Sequence, residues 1–111
     1  MTSIDEGRAL YEDLTELMLG DPAIGRATMM GFPCVRLDGK FLACCDKRNG
    51  DLVVKLPSDR VRKLVESGAG NEFAPAGKVF REWVAIPTLD RKLWKKLLAE
   101  AADFARSSAS N

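Results

Sequence analysis

Histidine is absent from this chain of 111 residues. The sequence therefore lacks the usual general base near neutral pH, the Cys–His and Ser–His dyads, and the commonest zinc ligand. A Walker-type loop is also missing, and the glycine-rich stretch 68–70 follows a predicted helix rather than a strand, which is the wrong context for a dinucleotide site. We therefore expect a non-enzymatic protein with no catalytic residue, no metal site and no cofactor.

Cysteine and long apolar runs are scarce as well. The three cysteines, Cys34, Cys44 and Cys45, are an odd number crowded into one region, unlike the spread, even set of a disulfide framework. No apolar run approaches the roughly 20 residues that cross a bilayer, and the start of the chain is acidic rather than basic. These features predict reduced thiols, a cytoplasmic location and no membrane partner.

The chain also lacks a strong excess of charge, since 17 basic residues face 16 acidic ones for a net charge of +1. The two signs are unevenly placed. Residues 1–21 contain six acids and one arginine, a net charge of −5, which leaves +6 for the remainder. Such segregation favours an acidic or nucleic-acid partner on one side of the molecule. The acids of the first helix indicate a solvated face or, alternatively, a protein-interaction surface.

Hydrophobic periodicity predicts an α+β fold, with an antiparallel sheet packed against N-terminal, middle and C-terminal helices. The first helix ends at Gly20-Asp21-Pro22, the second begins at Pro57-Ser58-Asp59 and closes at Gly68, and the last is capped by Thr88 or Asp90. A three-stranded meander and one later strand complete the sheet: Met29–Leu37, Lys40–Asp46, Asp51–Leu56 and Lys78–Ile86. We expect residues 1–106 to form a single domain and residues 107–111 a disordered tail.

The first hairpin turns on Asp38-Gly39, a dipeptide that tolerates the positive φ of a tight two-residue turn. This turn places Cys34 opposite Ala43 and diagonal to Cys45, with Cys44 on the other face. These thiols could form a redox switch or a soft-metal site, or they could be ordinary core residues. The core interpretation is favoured. Because Pro33 cannot donate to a ladder, we expect an edge strand or an irregularity between Gly31 and Pro33.

Several segments together resemble the N-terminal domain of TfoX and the related MmcQ/YjbR-like family, over roughly residues 10–106. They are Met30-Gly31-Phe32-Pro33, residues 37–43, residues 52–57, residues 73–77 and Glu82-Trp83-Val84. The resemblance implies a compact α+β domain, bacterial and cytoplasmic, of a kind described as DNA-binding or regulatory. It implies no catalytic residues.

Basic residues at one turn and on the second helix are the candidate nucleic-acid contacts: Lys47, Arg48, Arg60, Arg62 and Lys63. Long flexible cations bind phosphate, but no helix carries the Arg, Asn and Gln pattern that reads base edges. The first hypothesis is therefore a non-enzymatic domain whose partner is either nucleic acid, bound non-specifically, or a regulatory protein. The alternative is a ligand-binding or enzymatic pocket between the sheet and the last helix, around Cys34, Lys55 and Trp83.

Overall fold

The computed structural model describes residues 3–74 and 76–107. Within these residues the chain forms three helices and six strands. In chain order they are α1 (Ser3–Met18), β1 (Ile24–Met29), β2 (Phe32–Leu37), β3 (Lys40–Cys45), β4 (Leu52–Lys55), α2 (Ser58–Glu66), β5 (Asn71–Glu72), β6 (Trp83–Ile86) and α3 (Arg91–Ser107). The strands form one antiparallel sheet in the order β1-β2-β3-β4-β6-β5. The predicted α+β class is confirmed.

The first predicted strand is wrong at its start, because the chain reverses at Met30-Gly31 and forms two strands there. Both turn residues have positive φ, 53° at Met30 and 79° at Gly31. The predicted Asp38-Gly39 turn has the same geometry, with φ of 51° and 83°. Methionine is rare at such a φ, whereas aspartate before glycine is common. The Met30-Gly31 turn therefore carries a weaker sequence signal. In place of the predicted irregularity between Gly31 and Pro33, the chain forms a hairpin turn at Met30-Gly31, and the register runs evenly through Pro33.

Pro33 lies inside β2, which is an interior strand rather than an edge. It faces Thr28 of β1, and the ladder between β2 and β3 stops one residue earlier, at the pair Cys34–Cys44. The two-residue turn makes Met29 and Phe32 a hydrogen-bonded pair, so the next pair, Thr28–Pro33, is not hydrogen-bonded. The nitrogen of Pro33 thus points past the end of the β3 ladder, and its missing N–H costs no bond.

A β-bulge changes which cysteines are neighbours. The register between β2 and β3 shifts between Val35 and Arg36, so Cys34 lies opposite Cys44 and not opposite Ala43. The predicted diagonal contact between Cys34 and Cys45 is therefore wrong. Beyond a bulge every side chain of the strand changes face. Cys34 and Cys44 share one face of the sheet, while Cys45 packs on the other.

The two faces of the sheet are covered differently. The helix face packs against all three helices, and its largest fully buried side chains include Tyr11 of α1, Leu42 of β3 and Trp94 of α3. The indole N–H of Trp94 donates a hydrogen bond of 2.8 Å to the Thr88 carbonyl, so this buried polar atom is satisfied. The opposite, aromatic face consists of these buried residues: Phe32, Cys34, Phe41, Cys44, Val53, Phe73 and Ala85.

The second half of the chain follows the prediction with shorter strands. Gly68, two residues after the last residue of α2, has a φ of 84°, as expected of a residue that terminates a helix. The later strand begins at Trp83 rather than Lys78, and the two-residue strand β5 pairs beside it. Ser107 belongs to α3 rather than to the predicted tail, whose other residues, 108–111, lie outside the described part. No helix in the described ranges is long and apolar enough to cross a membrane.

Candidate functional site

Two adjoining grooves flank the segment Val79–Trp83, which leads into β6. Both are lined by Val79, Phe80, Arg81 and Trp83. The smaller groove also contains Lys55, Lys78 and Glu82 and has a volume of about 340 Å³. The larger groove, about 430 Å³, is bounded by α2 and β5 through Ser58, Val61, Arg62, Val65, Glu66 and Glu72. Together the two form one feature, the basic-aromatic groove.

Sheet pairing and ring packing hold Trp83 in place. Lys55 of β4 and Trp83 of β6 are directly opposed, so their side chains leave the sheet on the same face. The indole stacks on Phe41, with ring centres 4.2 Å apart, and lies 4.9 Å from the ring of Phe80. Phe80 is itself tied down, because its N–H donates to the Phe73 carbonyl at 3.0 Å. Both Phe80 and Trp83 remain partly exposed at the groove.

The cations of the smaller groove lack a counter-ion in the part of the chain that the structure describes. Within residues 3–74 and 76–107, Lys55, Lys78 and Arg81 take part in no ion pair. Lys78 and Arg81 are exposed, and Glu82 is the one carboxylate that lines this smaller groove. Three cations against one carboxylate, beside two aromatic rings, favour an anionic ligand with a planar group.

Two of the predicted phosphate contacts, Lys47 and Arg48, lie in the turn between β3 and β4 and interact with other residues of the protein. Arg48 forms a two-pronged pair with buried Asp46, at 3.0 Å from Nε and 2.8 Å from Nη2, and its backbone N–H donates to the same carboxylate at 2.9 Å. Lys47 lies over the ring of Phe32, with Nζ 5.8 Å from its centre. Arg48 therefore serves first to hold the turn.

The cations of α2 point elsewhere. Arg60 binds Glu100 of α3 through two bonds of 2.9 and 3.2 Å, and Arg62 pairs with Asp59 at 3.0 Å. Lys63 is exposed. Since Arg60 joins two helices on the helix face whereas Lys47 and Arg48 lie against the aromatic face, the structure does not bring the five candidates onto one surface. Arg62 alone of these five is among the residues that line the basic-aromatic groove.

The three cysteines are buried and unpaired. Burial raises the pKa of Cys44 to about 12 and that of Cys45 to about 11. It also raises the pKa of Cys34, although Arg36 opposes the shift. Protonated thiols are poor nucleophiles and poor metal ligands. Among the described residues, no group of three His, Cys, Asp or Glu side chains is arranged to hold a metal.

The predicted pocket around Cys34, Lys55 and Trp83 is present only in part. Lys55 and Trp83 do share a groove, but Cys34 is 1% exposed and does not line it. The groove is bounded by α2 and the segment 78–83 rather than by α3. The placement between the sheet and the last helix is therefore wrong, because Trp83 packs on the aromatic face and α3 packs on the helix face.

The acidic face of α1 is partly neutralised. Glu12 pairs with Arg8, Glu16 with Arg26, and Asp13 with Arg91 of α3 at 2.6 Å. These pairs are exposed, and such pairs each contribute little to stability. They do reduce the negative charge that this helix offers to a protein partner.

Asp46 provides a pH-dependent prediction. Burial alone would raise the pKa of this carboxyl, but hydrogen bonds from the side chain and backbone of Arg48 outweigh it and hold the pKa below its ordinary value of 3.8. The stabilisation is thus complete above that ordinary value and is lost as the pH falls below it and through the lower pKa of the folded protein. Asp46→Asn is expected to lower the free energy of unfolding at pH 7 by about 1–3 kcal/mol.

The measurement is urea unfolding of both proteins at pH 7 and near pH 3, where the difference should shrink. Asp59→Asn is the matched control, since its pair with Arg62 is exposed, and it should change stability by less than about 0.5 kcal/mol. A deficit of Asp46→Asn that stays constant with pH would contradict the assignment.

Lys78, Phe80 and Arg81 are the groove residues that sequence reasoning missed. The alternation of residues 78–86 predicts one strand, which would spread these side chains over two faces. The available signal was Pro75-Ala76-Gly77, which ends one segment directly before two cations that flank an aromatic residue.

Comparison with protein-family models, curated proteins and solved structures returned no match to this chain. The resemblance to the TfoX N-terminal and MmcQ/YjbR-like families therefore stays a prediction from the sequence.

Proposed function

We propose that this protein is a non-enzymatic domain that binds single-stranded nucleic acid, without sequence preference, in the basic-aromatic groove. One observation carries the proposal: Lys55, Lys78 and Arg81, which form no ion pair with any described residue, lie in the same groove as partly exposed Phe80 and Trp83. Proteins that bind single strands combine a basic groove along the backbone with aromatic rings on which bases stack.

The shape of the site favours a single strand over a duplex. A shallow, open groove of about 340 Å³ beside a deeper one of about 430 Å³ has room for an unstacked nucleotide. A duplex presents its phosphates on a convex cylinder and keeps its bases stacked inside, out of reach of Phe80 and Trp83. The carboxylates of Glu66 and Glu72 in the larger groove would oppose a phosphate there, so we place the backbone in the smaller groove.

The chemistry of the cysteines and the lack of histidine support a non-enzymatic role. Cys34, Cys44 and Cys45 are buried with raised pKa values, and the sequence contains no histidine to serve as a base. The family resemblance agrees with the proposal, since its members are described as DNA-binding or regulatory, and with a cytoplasmic location. The regulatory role and the location are parts of the same proposal.

The test is a fluorescence anisotropy titration with labelled oligothymidylate of about 12 nucleotides, within the site sizes known for such grooves. Three phosphate contacts predict that log K falls against log salt with a slope of about −2. Duplex of the same length should bind more weakly. Binding that is absent at low salt, or that is flat between roughly 50 and 200 mM salt, would overturn the proposal.

Two further readouts separate the alternatives. The indole of Trp83 stacks on Phe41 and on Phe73 but is partly exposed at the groove, whereas Trp94 is fully buried. A base that binds beside Phe80 should therefore quench only the emission of Trp83. Trp83→Phe should abolish the quenching and retain most of the affinity. If a mononucleotide binds as tightly as the oligonucleotide, the groove is a small-ligand site and the macromolecular proposal fails.

A further inference from the structure

Strand β1 leaves one edge of the sheet open. Among the strands of residues 3–74 and 76–107 it pairs with β2 alone, and it is six residues long, whereas the other edge is the two-residue strand β5. Natural proteins protect such edges with proline, lysine, bulges or short strands. Residues 24–29 contain neither proline nor lysine, and their pairing with β2 runs without a register shift.

The unpaired backbone groups of β1 can be assigned from its register. Because Met29 and Phe32 flank a two-residue turn, they are a hydrogen-bonded pair, and the pairs alternate from there. The N–H and C=O groups of Arg26 and Thr28 therefore point away from β2. Arg26 is the one charged residue of the strand, and its guanidinium is turned to α1, 3.1 Å from the Thr15 hydroxyl and 3.2 Å from Glu16.

We propose that β1 pairs antiparallel with β1 of a second copy of this chain, around a two-fold axis at Ala27. In this register Arg26 lies opposite the partner's Thr28, and the two exchange both backbone hydrogen bonds, which the symmetry repeats. Ala27 faces its own equivalent in the non-hydrogen-bonded pair, where strands come closest and the smallest side chain fits. A register centred on Arg26 would instead oppose two like charges.

Gly25 supplies the complementary shape. In the proposed register it lies opposite the partner's Met29, on the same face of the extended sheet. A Cβ added to Gly25 would meet no atom within 4 Å, so space is open there for the Met29 side chain. The strand thus offers both the knob and the hole, as a two-fold interface requires. A contact of this size belongs to the weak, transient class of interfaces.

Sedimentation velocity of the full chain, at concentrations up to about 1 mM, should show a monomer–dimer equilibrium. Thr28→Pro removes an outward N–H and no bond to β2, so it should leave the monomer folded. Its loss of two symmetry-related hydrogen bonds should raise the dimer dissociation constant roughly 30-fold or more. The matched control is Thr28→Val, which keeps the N–H and should dimerise like the parent protein.

A second variant tests the register. In a Cys34→Ala background, which removes the thiol directly opposite residue 27 on β2, Ala27→Cys places two thiols at the proposed axis. A small-molecule disulfide oxidant should then yield a covalent dimer, and Thr28→Cys in the same background should yield much less. A chain that is monomeric at the highest concentration, or a dimer that Thr28→Pro leaves intact, would overturn the proposal. The basic-aromatic groove lies at β4 and β6, so a failure of the nucleic-acid proposal would leave this result unaffected.

Discussion

Gly7→Ala is expected to destabilise the protein by about 2–3 kcal/mol, although alanine is the better helix former. Gly7 is a buried residue of α1 that packs against the turn between β3 and β4. A Cβ there would overlap the Gly50 carbonyl oxygen and would lie 2.9 Å from its carbonyl carbon. The neighbour is backbone, which cannot rotate aside as a side chain can.

The turn has little freedom to move because it is bonded from within. The N–H of Gly50 donates to the Asp46 carbonyl at 2.7 Å, and the N–H of Asp46 donates to the Asp51 carbonyl at 2.9 Å. Gly50 also has a φ of 80°, which a shift would have to preserve. Relief of the overlap therefore requires α1 to move away from the sheet.

Urea unfolding measures the effect, and Ala9→Gly serves as the calibration on the same helix. Ala9 is exposed, so its loss should cost about 1 kcal/mol of helix propensity alone. If Gly7→Ala raised the free energy of unfolding, propensity would have outweighed the clash, and the close approach of α1 to the turn would be incorrect.

Reversing two groove charges together, Lys78→Glu and Arg81→Glu, is expected to weaken binding of oligothymidylate roughly 10- to 100-fold. Both side chains are exposed and form no ion pair in the described part of the chain. The substitution should therefore leave the thermal midpoint nearly unchanged. With Lys55 as the remaining groove cation, the salt slope should fall from about −2 to about −0.7.

The matched control is the pair Lys95→Glu and Lys96→Glu, which makes the same change of net charge on exposed positions of α3. It should retain most of the affinity and the full salt slope. Equal losses in the two double variants would mean that the net charge of the molecule, rather than the groove, drives binding. That result would remove the groove from the proposed function.

Local signals predicted much of the fold because they act over short distances. Asp38-Gly39 specifies its own turn, and the apolar stripe of the last helix predicts the burial of Trp94. The Met30-Gly31 turn has no such local signal, because methionine rarely occupies the positive-φ position of a turn. The bulge in β3 has no local signal because it depends on how two strands fit together. It makes Cys44, rather than Cys45, the neighbour of Cys34 across the strands.

Periodicity and turn chemistry are properties of neighbouring residues, so they are enough to predict the α+β class, the approximate helices and the Asp38-Gly39 turn. Which cations lack an ion-pair partner among the described residues depends instead on the folded arrangement. Arg48 forms an ion pair with Asp46, and Arg60 forms one with Glu100. Pairing of β4 with β6, in contrast, places Lys55 next to Trp83 in the groove that Arg81 also lines. Such groupings depend on residues distant in the chain, so strand order and side-chain packing, rather than local pattern, assemble the candidate site.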